Sequence, residues 1–218
     1  MHEAAIRAQV HEAFSRYPKR SYDKGQILVF SGEEPEHIFY MLNGKVREYG
    51  ITYRGDEVVV NVFKPPAFFP MSWALNRTPN NYFYRTEEPT ELHVVPAEAA
   101  VAFLQANPEV TLDLLSRVYR GVDGLLGKTV QLMSGTAKSR LAHEVLIECQ
   151  RFGVKQTDGS LRLEATESDF AARSGLARET VSREMQKLKA EGCVDVTAEG
   201  VSVTDTARLE AIIQGEPS

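Results

Sequence analysis

The sequence is short of the residues on which thiol and metal chemistry depend. It has two cysteines, Cys149 and Cys193, among 218 residues. Two thiols build no disulfide framework and no four-thiolate iron–sulfur or zinc site within one chain. A nucleophile elbow, a P-loop and a dinucleotide-binding glycine fingerprint are all missing, which removes the enzyme classes built on them. No apolar run approaches the roughly 18 residues of a membrane span, and the charged N-terminus lacks a signal-peptide core. The expectation is a cytoplasmic protein with no membrane partner. A surplus of positive charge is missing too, since the net charge is −5 and the pI about 5.6. That balance argues against nucleic-acid binding through bulk charge, but it leaves open sequence-specific binding through a local basic face.

What is present suits two domains, at roughly 100–150 residues each. The most informative stretch is Thr166–Gly192, TESDFAARSGLARETVSREMQKLKAEG. Phe170 and Ala171 lead to Gly175, which tolerates the left-handed backbone of a tight turn. After it Val181, Met185 and Leu188 fall at i, i+4 and i+7, one apolar stripe of a second helix. The other face carries Arg178, Glu179, Thr180, Ser182 and Arg183. Two short helices joined by a glycine turn make a helix-turn-helix, whose second helix enters the DNA major groove. The polar face suits base reading: Arg forks onto guanine O6 and N7, Glu accepts from cytosine N4, and Ser or Thr serves bases or phosphates. The alternative is an ordinary solvated helix face, since Arg and Glu favour helices anyway. Arg178, Arg183, Lys187 and Lys189 against Glu179 and Glu184 leave the segment locally positive. The run Arg178-Glu179-Thr180-Val181-Ser182-Arg183 resembles the recognition helix of the CRP/FNR transcription-factor family.

The first half has a different rhythm. Residues 3–17 pattern as a short amphipathic helix with Ile6, Val10, Phe14 and Tyr17 on one face, and His2 and His11 on the surface. Then Gly25, Gly32, Gly44, Gly50 and Gly55 separate strand-like runs at 26–30, 37–42, 45–49 and 57–63, the spacing of a sandwich or small barrel. The cadence Lys24-Gly25-Gln26-Ile27-Leu28, Gly32-Glu33, Ile38–Val46 is similar to the cyclic-nucleotide-binding jelly roll of the same family, and Gly55-Asp56-Glu57 fits its next turn. Metal-dependent cupin enzymes share a related barrel but need clustered His and carboxylate ligands. This half offers only His37 and His93, with no His-x-His pair, so a catalytic metal is not expected.

Nucleotide-binding members of the family carry Gly-Glu and, about ten residues later, Arg-Ser or Arg-Thr. Ungapped placement from Thr90–Leu92 puts Phe69-Pro70 and Asn80-Asn81 at those points. Phe offers no bare backbone, Pro has no N–H, and Asn brings no charge to a phosphate. Arg85-Thr86 lies nearby, within reach of a shifted loop. The resemblance also implies a nucleotide contact from a Thr-Ser pair on the long central helix, and Leu125-Leu126 stands there. These departures argue against cyclic AMP. Aromatic residues crowd the region instead, and they either fill their own core or line a pocket for a flat apolar effector such as an aromatic compound or haem. The pocket version uses Phe69, Trp73, Tyr82, Tyr84, Arg85 and Leu125, and a haem would also need an axial ligand, for which His93, His37 or the N-terminal region is the candidate.

After a strand at 91–95, Pro96 starts a helical stretch from a first-turn position. Pro108 opens a long helix to about Met133, in which Leu115, Val118, Val122, Leu125, Thr129 and Leu132 alternate by four and three. That seam is the spacing of a coiled-coil pair, with packing on the chain's own β-domain as the alternative. Gly121, Gly124 and Gly127 interrupt it, each costing about 0.5–1 kcal/mol relative to alanine. Ser134-Gly135-Thr136 reads as a hinge, Thr136 caps a helix over 138–152, and 153–160 reads as a loop before a short strand at 161–163. Thr166 caps the first helix of the motif with Asp169 three residues on, a weaker capping box. Ala177 stands at the cap of the second, where relatives have Ser or Thr, so a DNA phosphate could meet its open N–H groups. Val194–Val203 alternates around Glu199-Gly200 as a wing, Cys149 and Cys193 read as core, and 205–214 is a last helix before a frayed tail.

The expectation is an α+β chain with an N-terminal β jelly roll (1–107), a dimerisation helix and hinge (108–135) and a winged helix-turn-helix (136–218). The order of these parts resembles the CRP/FNR family over roughly residues 20–210. The resemblance implies a homodimeric, non-enzymatic transcription regulator on double-stranded DNA. Glu179, Ser182 and Arg183 match the triplet that reads TTGA-like half-sites, Arg178 reads a base or holds a phosphate, and Thr166, Ser168 and Thr180 position the helix on the backbone. RNA polymerase is a further partner if the regulator activates. The open alternatives are control by abundance alone and a sensor of haem or an aromatic ligand.

Overall fold

The computed structural model describes residues 2–197 and 200–215, the side chains of residues 2 and 3 excepted. The wing's turn at Glu199, the tail beyond 215 and the side chain of His2 lie outside the described residues. The chain forms two compact units, Met1–Val118 and Tyr119–Ser218, and the division falls inside one long helix.

In the first unit α1 (His2–Phe14) precedes β1 (Lys19–Tyr22), β2 (Ile27–Val29), β3 (His37–Asn43), β4 (Val46–Ile51), β5 (Glu57–Phe63) and β6 (Ala67–Phe69). Then follow α2 (Met71–Asn76), β7 (Phe83–Thr86), β8 (Thr90–Pro96), α3 (Ala97–Ala106) and the start of α4 (Pro108–Ser134). The strands pair antiparallel in two sheets, ordered β1-β8-β3-β6 and β2-β7-β4-β5. Alternation along β3 fixes two cores, because successive side chains point to opposite faces. Phe39 and Met41 join Val29, Val46, Phe69, Tyr84 and Leu92 between the sheets. Ile38 and Tyr40 face the other way, onto Ile6, Val10 and Phe14 of α1 and Ala100 and Leu104 of α3. Burying one such large apolar side chain is worth about 1.5–3 kcal/mol. Gly44 makes the β3–β4 turn at φ 98°, where a Cβ would sit 2.3 Å from Thr90 Oγ1.

The second unit holds the rest of α4, then α5 (Ala137–Phe152), β9 (Val154–Lys155), β10 (Leu161–Leu163), α6 (Glu167–Ser174) and α7 (Arg178–Ala190). It closes with β11 (Val194–Thr197), β12 (Gly200–Val203) and α8 (Thr206–Gln214). One core joins Leu141, Val145 and Cys149 of α5, Phe170 of α6, the stripe Val181, Met185 and Leu188 of α7, Val201 and Val203 of the wing, and Leu209 of α8. Cys149 and Cys193 are both buried, and burial pushes each thiol pKa up, away from the reactive thiolate.

The structure adds β1, β6, α2 and β7, and places β9 inside the stretch expected to be loop. Tyr17 lies beyond the end of α1, and Pro96 ends β8 and occupies the N-cap of α3 rather than its first turn. Pro96 has no N–H to give and no side-chain cap bond, so its fixed φ marks the boundary and nothing more.

Candidate nucleic-acid interface

The helix-turn-helix is set by local chemistry at three points. Thr166 caps α6: its Oγ1 accepts from Asp169 N at 3.2 Å, while Asp169 Oδ2 accepts from Thr166 N at 2.9 Å. Both halves of the capping box are therefore made, and the shorter Asp serves where Glu is usual. Phe170 then anchors α6 in the core with no exposed surface. At the other end Gly175 sits at φ 65°, and Arg140 Nη2 donates to the Ser174 carbonyl at 2.7 Å, tying the turn to α5. A buried ion pair adds a second tie, with Arg173 Nη1 2.5 Å from Glu148 Oε2 of α5.

α7 leaves Ala177 with no side-chain cap bond, so the first N–H groups of the helix meet no capping side chain. Its inner stripe is sealed, and its outer side is not. Arg178, Glu179, Ser182, Arg183 and Gln186 line an open recess of about 520 Å³, with Glu167 of α6 across from them. The side chains of Arg178, Glu179, Ser182 and Thr180 make no hydrogen bond or ion pair among the described residues. Arg183 is 67% exposed and has only a loose 3.9 Å approach to Glu184. The structure thus brings together the expected reading residues, and Ser168 stands exposed in the first turn of α6. Thr166 is exposed as well, but its hydroxyl is engaged in the cap.

The charge balance differs from the count along the sequence. Lys187 pairs with Glu184 at 2.8 Å, and Lys189 pairs with Asp195 of β11 at 2.8 Å. The positive face expected of this segment therefore narrows to Arg178 and Arg183, set against Glu179 and Glu167. Sequence reasoning missed Glu167 and Gln186. Gln186 carried a signal, its spacing of three and four residues from Arg183 and Ser182. A second open recess, about 460 Å³, lies between Arg162, Thr166 and Glu167 on one side and Val196, Thr197, Gly200 and Val201 of the wing on the other.

Within the first unit, the residues expected to line an effector pocket do not gather at one place. Phe69 and Tyr84 stack at 5.3 Å in the core between the sheets, with Phe63 4.7 Å from Phe69. These are the self-filling aromatics of the alternative. Strand alternation turns Arg85 the opposite way, where it forks onto Glu57 at 2.7 and 2.6 Å and lies 4.7 Å over the Tyr49 ring. Trp73 is half-buried on α2 with Arg77 over its ring, and Tyr82 is 39% exposed. Leu125 belongs to the other compact unit. His93 points to the helix-covered face, with Nδ1 2.7 Å from the Tyr17 carbonyl and the ring stacked near Tyr40, while His37 is exposed at the start of β3. Asn80 is buried as a loop anchor, donating to the Phe30 carbonyl at 3.2 Å and to that of Tyr82. Inside the barrel Tyr84 donates to Glu48 Oε1 at 2.9 Å. Burial pushes the Glu48 carboxyl above the usual range, against the hydrogen bonds from Tyr84 and Asn61.

Along α4, Leu115, Val118, Val122, Leu125 and Leu132 are 42–54% exposed, a large apolar area for one helix face. Thr129 in the same seam is exposed and returns its hydroxyl to the Leu125 carbonyl at 2.8 Å.

Two known families match separate parts of the chain. The family described as cyclic nucleotide-binding domain matches residues 19–107, and the Crp-like helix-turn-helix domain matches residues 139–212. A global nitrogen regulator of Nostoc sp. is 25% identical over 190 residues, 84% of this chain and 83% of that protein. A cyclic AMP receptor protein of Thermus thermophilus is 27% identical over 207 residues, 95% of this chain and 93% of that one. In fold, the chain is similar to a solved CRP/FNR-family transcriptional regulator, also of Thermus thermophilus, with a TM-score of 0.73 and 21% identity, covering 92% of this chain and 100% of that one.

Proposed function

The chain belongs to the CRP/FNR family of transcription regulators, a family of DNA-binding proteins and not of enzymes, and from that premise we propose that it binds an inverted-repeat operator with TTGA-like half-sites as a homodimer. The observation that carries the reading is the outer side of α7, where Arg178, Glu179 and Ser182 have no partner among the described residues and Arg183 almost none. Four polar side chains held out from a sealed helix suit base edges better than they suit their own domain. In this reading Glu179, Ser182 and Arg183 contact bases, and Arg178 contacts a base or a phosphate. Thr180 and Ser168 hold the backbone, while Thr166 sets the angle of α6 through its cap. A phosphate fits the uncapped start of α7.

The proposed division of labour is pairing by 108–135 and reading by 136–218, with the β-domain of 1–107 as their self-filled support. The exposed seam of α4 supports pairing with a second copy, which would set two recognition helices about 34–36 Å apart, one helical turn of DNA. A cytoplasmic setting follows from the target, and RNA polymerase is the further partner if the output is activation.

Cyclic AMP is not the effector in this reading, although one relative is a receptor for it. Phe69 and Tyr84 occupy the space between the sheets, and Asn80 is spent on the loop. Haem fits poorly as well: His93 faces α1 and α3, not the Phe69–Tyr84 stack, and so offers that space no axial ligand. Control by abundance, with a self-filled barrel, is the version these observations favour. Titration of the purified protein onto a TTGA-containing inverted repeat and a scrambled duplex, alone and with cyclic AMP or haem, tests it. Specific binding without additives is expected. Equal affinity for both duplexes under every condition would sink the operator assignment, and specificity only after an additive would overturn abundance control.

A further inference from the structure

The outer face of α7 extends past the expected readers. Gln186 lies four residues after Ser182 and three after Arg183, on the wall of the same recess. It is exposed, and its side chain has no partner among the described residues. Its neighbours are not in that position. Lys187 is held by Glu184 and Lys189 by Asp195, so the two cations of this end of the helix are occupied within the unit. The side chain left facing the recess is thus a neutral amide, which donates and accepts at once. A neutral amide gains little from a phosphate compared with a cation. It matches the paired acceptor and donor of adenine N7 and N6 in the major groove.

We propose that Gln186 reads an adenine in the operator, one base-pair step beyond the pair contacted by Arg183. Three residues of helix advance about 4.5 Å, a little more than the roughly 3.4 Å between base pairs along a strand. Gln186 therefore reaches the neighbouring pair and not the one Arg183 holds. The inference rests on the operator reading above and adds one position to the half-site. It also assigns a specificity-determining role to the third turn of the helix, where Lys187 and Lys189 are paired within the unit.

The test selects binding sites for the full-length protein and for Gln186→Ala from a random double-stranded DNA library. The half-site of the strongest sequence is then varied one base pair at a time and titrated at fixed salt. The wild-type protein is expected to lose roughly tenfold in affinity when the A·T pair next to the Arg183-dependent position is replaced. Gln186→Ala is expected to lose that preference and keep the others. A thermal melt of the variant within about 2 °C of wild type is expected for an exposed side chain with no partner. If Gln186→Ala weakens every sequence equally, or keeps the preference at every position, the adenine assignment is wrong while the operator reading stands. If the wild-type protein selects no sequence at all, both fail.

Discussion

Arg183→Ala separates reading from folding, because the two effects differ in size at this residue. The side chain is 67% exposed, and its one charged neighbour, Glu184 at 3.9 Å, is already held by Lys187 at 2.8 and 3.0 Å. Removing it leaves no buried group unpaired, so the stability change should stay within about 0.5 kcal/mol, a shift of at most about 4 °C for a unit of this size. A bidentate Arg–guanine contact is worth about 1–3 kcal/mol of discrimination. A homodimer on an inverted repeat makes it twice, so the specific complex should lose about 2–6 kcal/mol, roughly thirtyfold to twenty-thousandfold in Kd. The scrambled duplex loses only a share of its phosphate attraction. The assay is a titration of both duplexes at one salt concentration, paired with a thermal melt, and repeated on an operator with one half-site scrambled. There the loss in free energy should halve. Equal losses on specific and scrambled DNA would show that Arg183 holds phosphate and not base, and a melt lowered by more than about 8 °C would show a structural role the contacts do not explain.

Two further outcomes follow from buried charge. Glu148 is 7% exposed and faces Arg173, itself 4% exposed, with Arg151 also acting on the pair. Glu148→Ala strands the buried Arg173 guanidinium and should cost about 3–5 kcal/mol. Arg173→Ala should cost less, because Arg151 still balances the carboxylate; urea melts with the reverse order would refute the pairing. Glu48 sits among the barrel aromatics with its carboxyl pKa raised by burial, so the folded protein holds that proton more tightly than the unfolded chain. Its contribution is fully present below the ordinary carboxyl value and is lost as pH rises through the raised one. Glu48→Gln should therefore melt above wild type near pH 7–8, with the gap closing toward about pH 4; a gap constant across that range would contradict the assignment.

The two halves of the chain were legible to different degrees, and the difference is physical. In the helix-turn-helix the information is local. The period of Val181, Met185 and Leu188 identifies a buried stripe, and all three are fully buried. Thr166 and Asp169 declare a cap within one turn, and Gly175 declares the left-handed residue that ends α6. The β-domain is settled by pairing over long separations. β2 pairs with β7 across a bulge, Ile27 opposite Arg85 and Val29 opposite Tyr84, and no local pattern announces that register. Yet the register decides the candidate effector residues, because a shift of one position would exchange Tyr84 and Arg85 between the core and the outer face. Sequence spacing placed both in one pocket; the pleat allows only one of them inside.

Charge along α7 shows the same limit from the other direction. Four basic residues against two acidic ones leave the segment locally positive by count. Lys189 is answered by Asp195, which arrives from β11, and Lys187 by Glu184 beneath it. What remains is a pair of arginines in a protein of net charge −5, with Glu167 and Glu179 beside them. Phosphate contacts hold such a protein on DNA but carry no sequence information. Its preference for an operator must then come from the edges of a few base pairs, and the unpartnered polar side chains of one helix face are where that preference would be made.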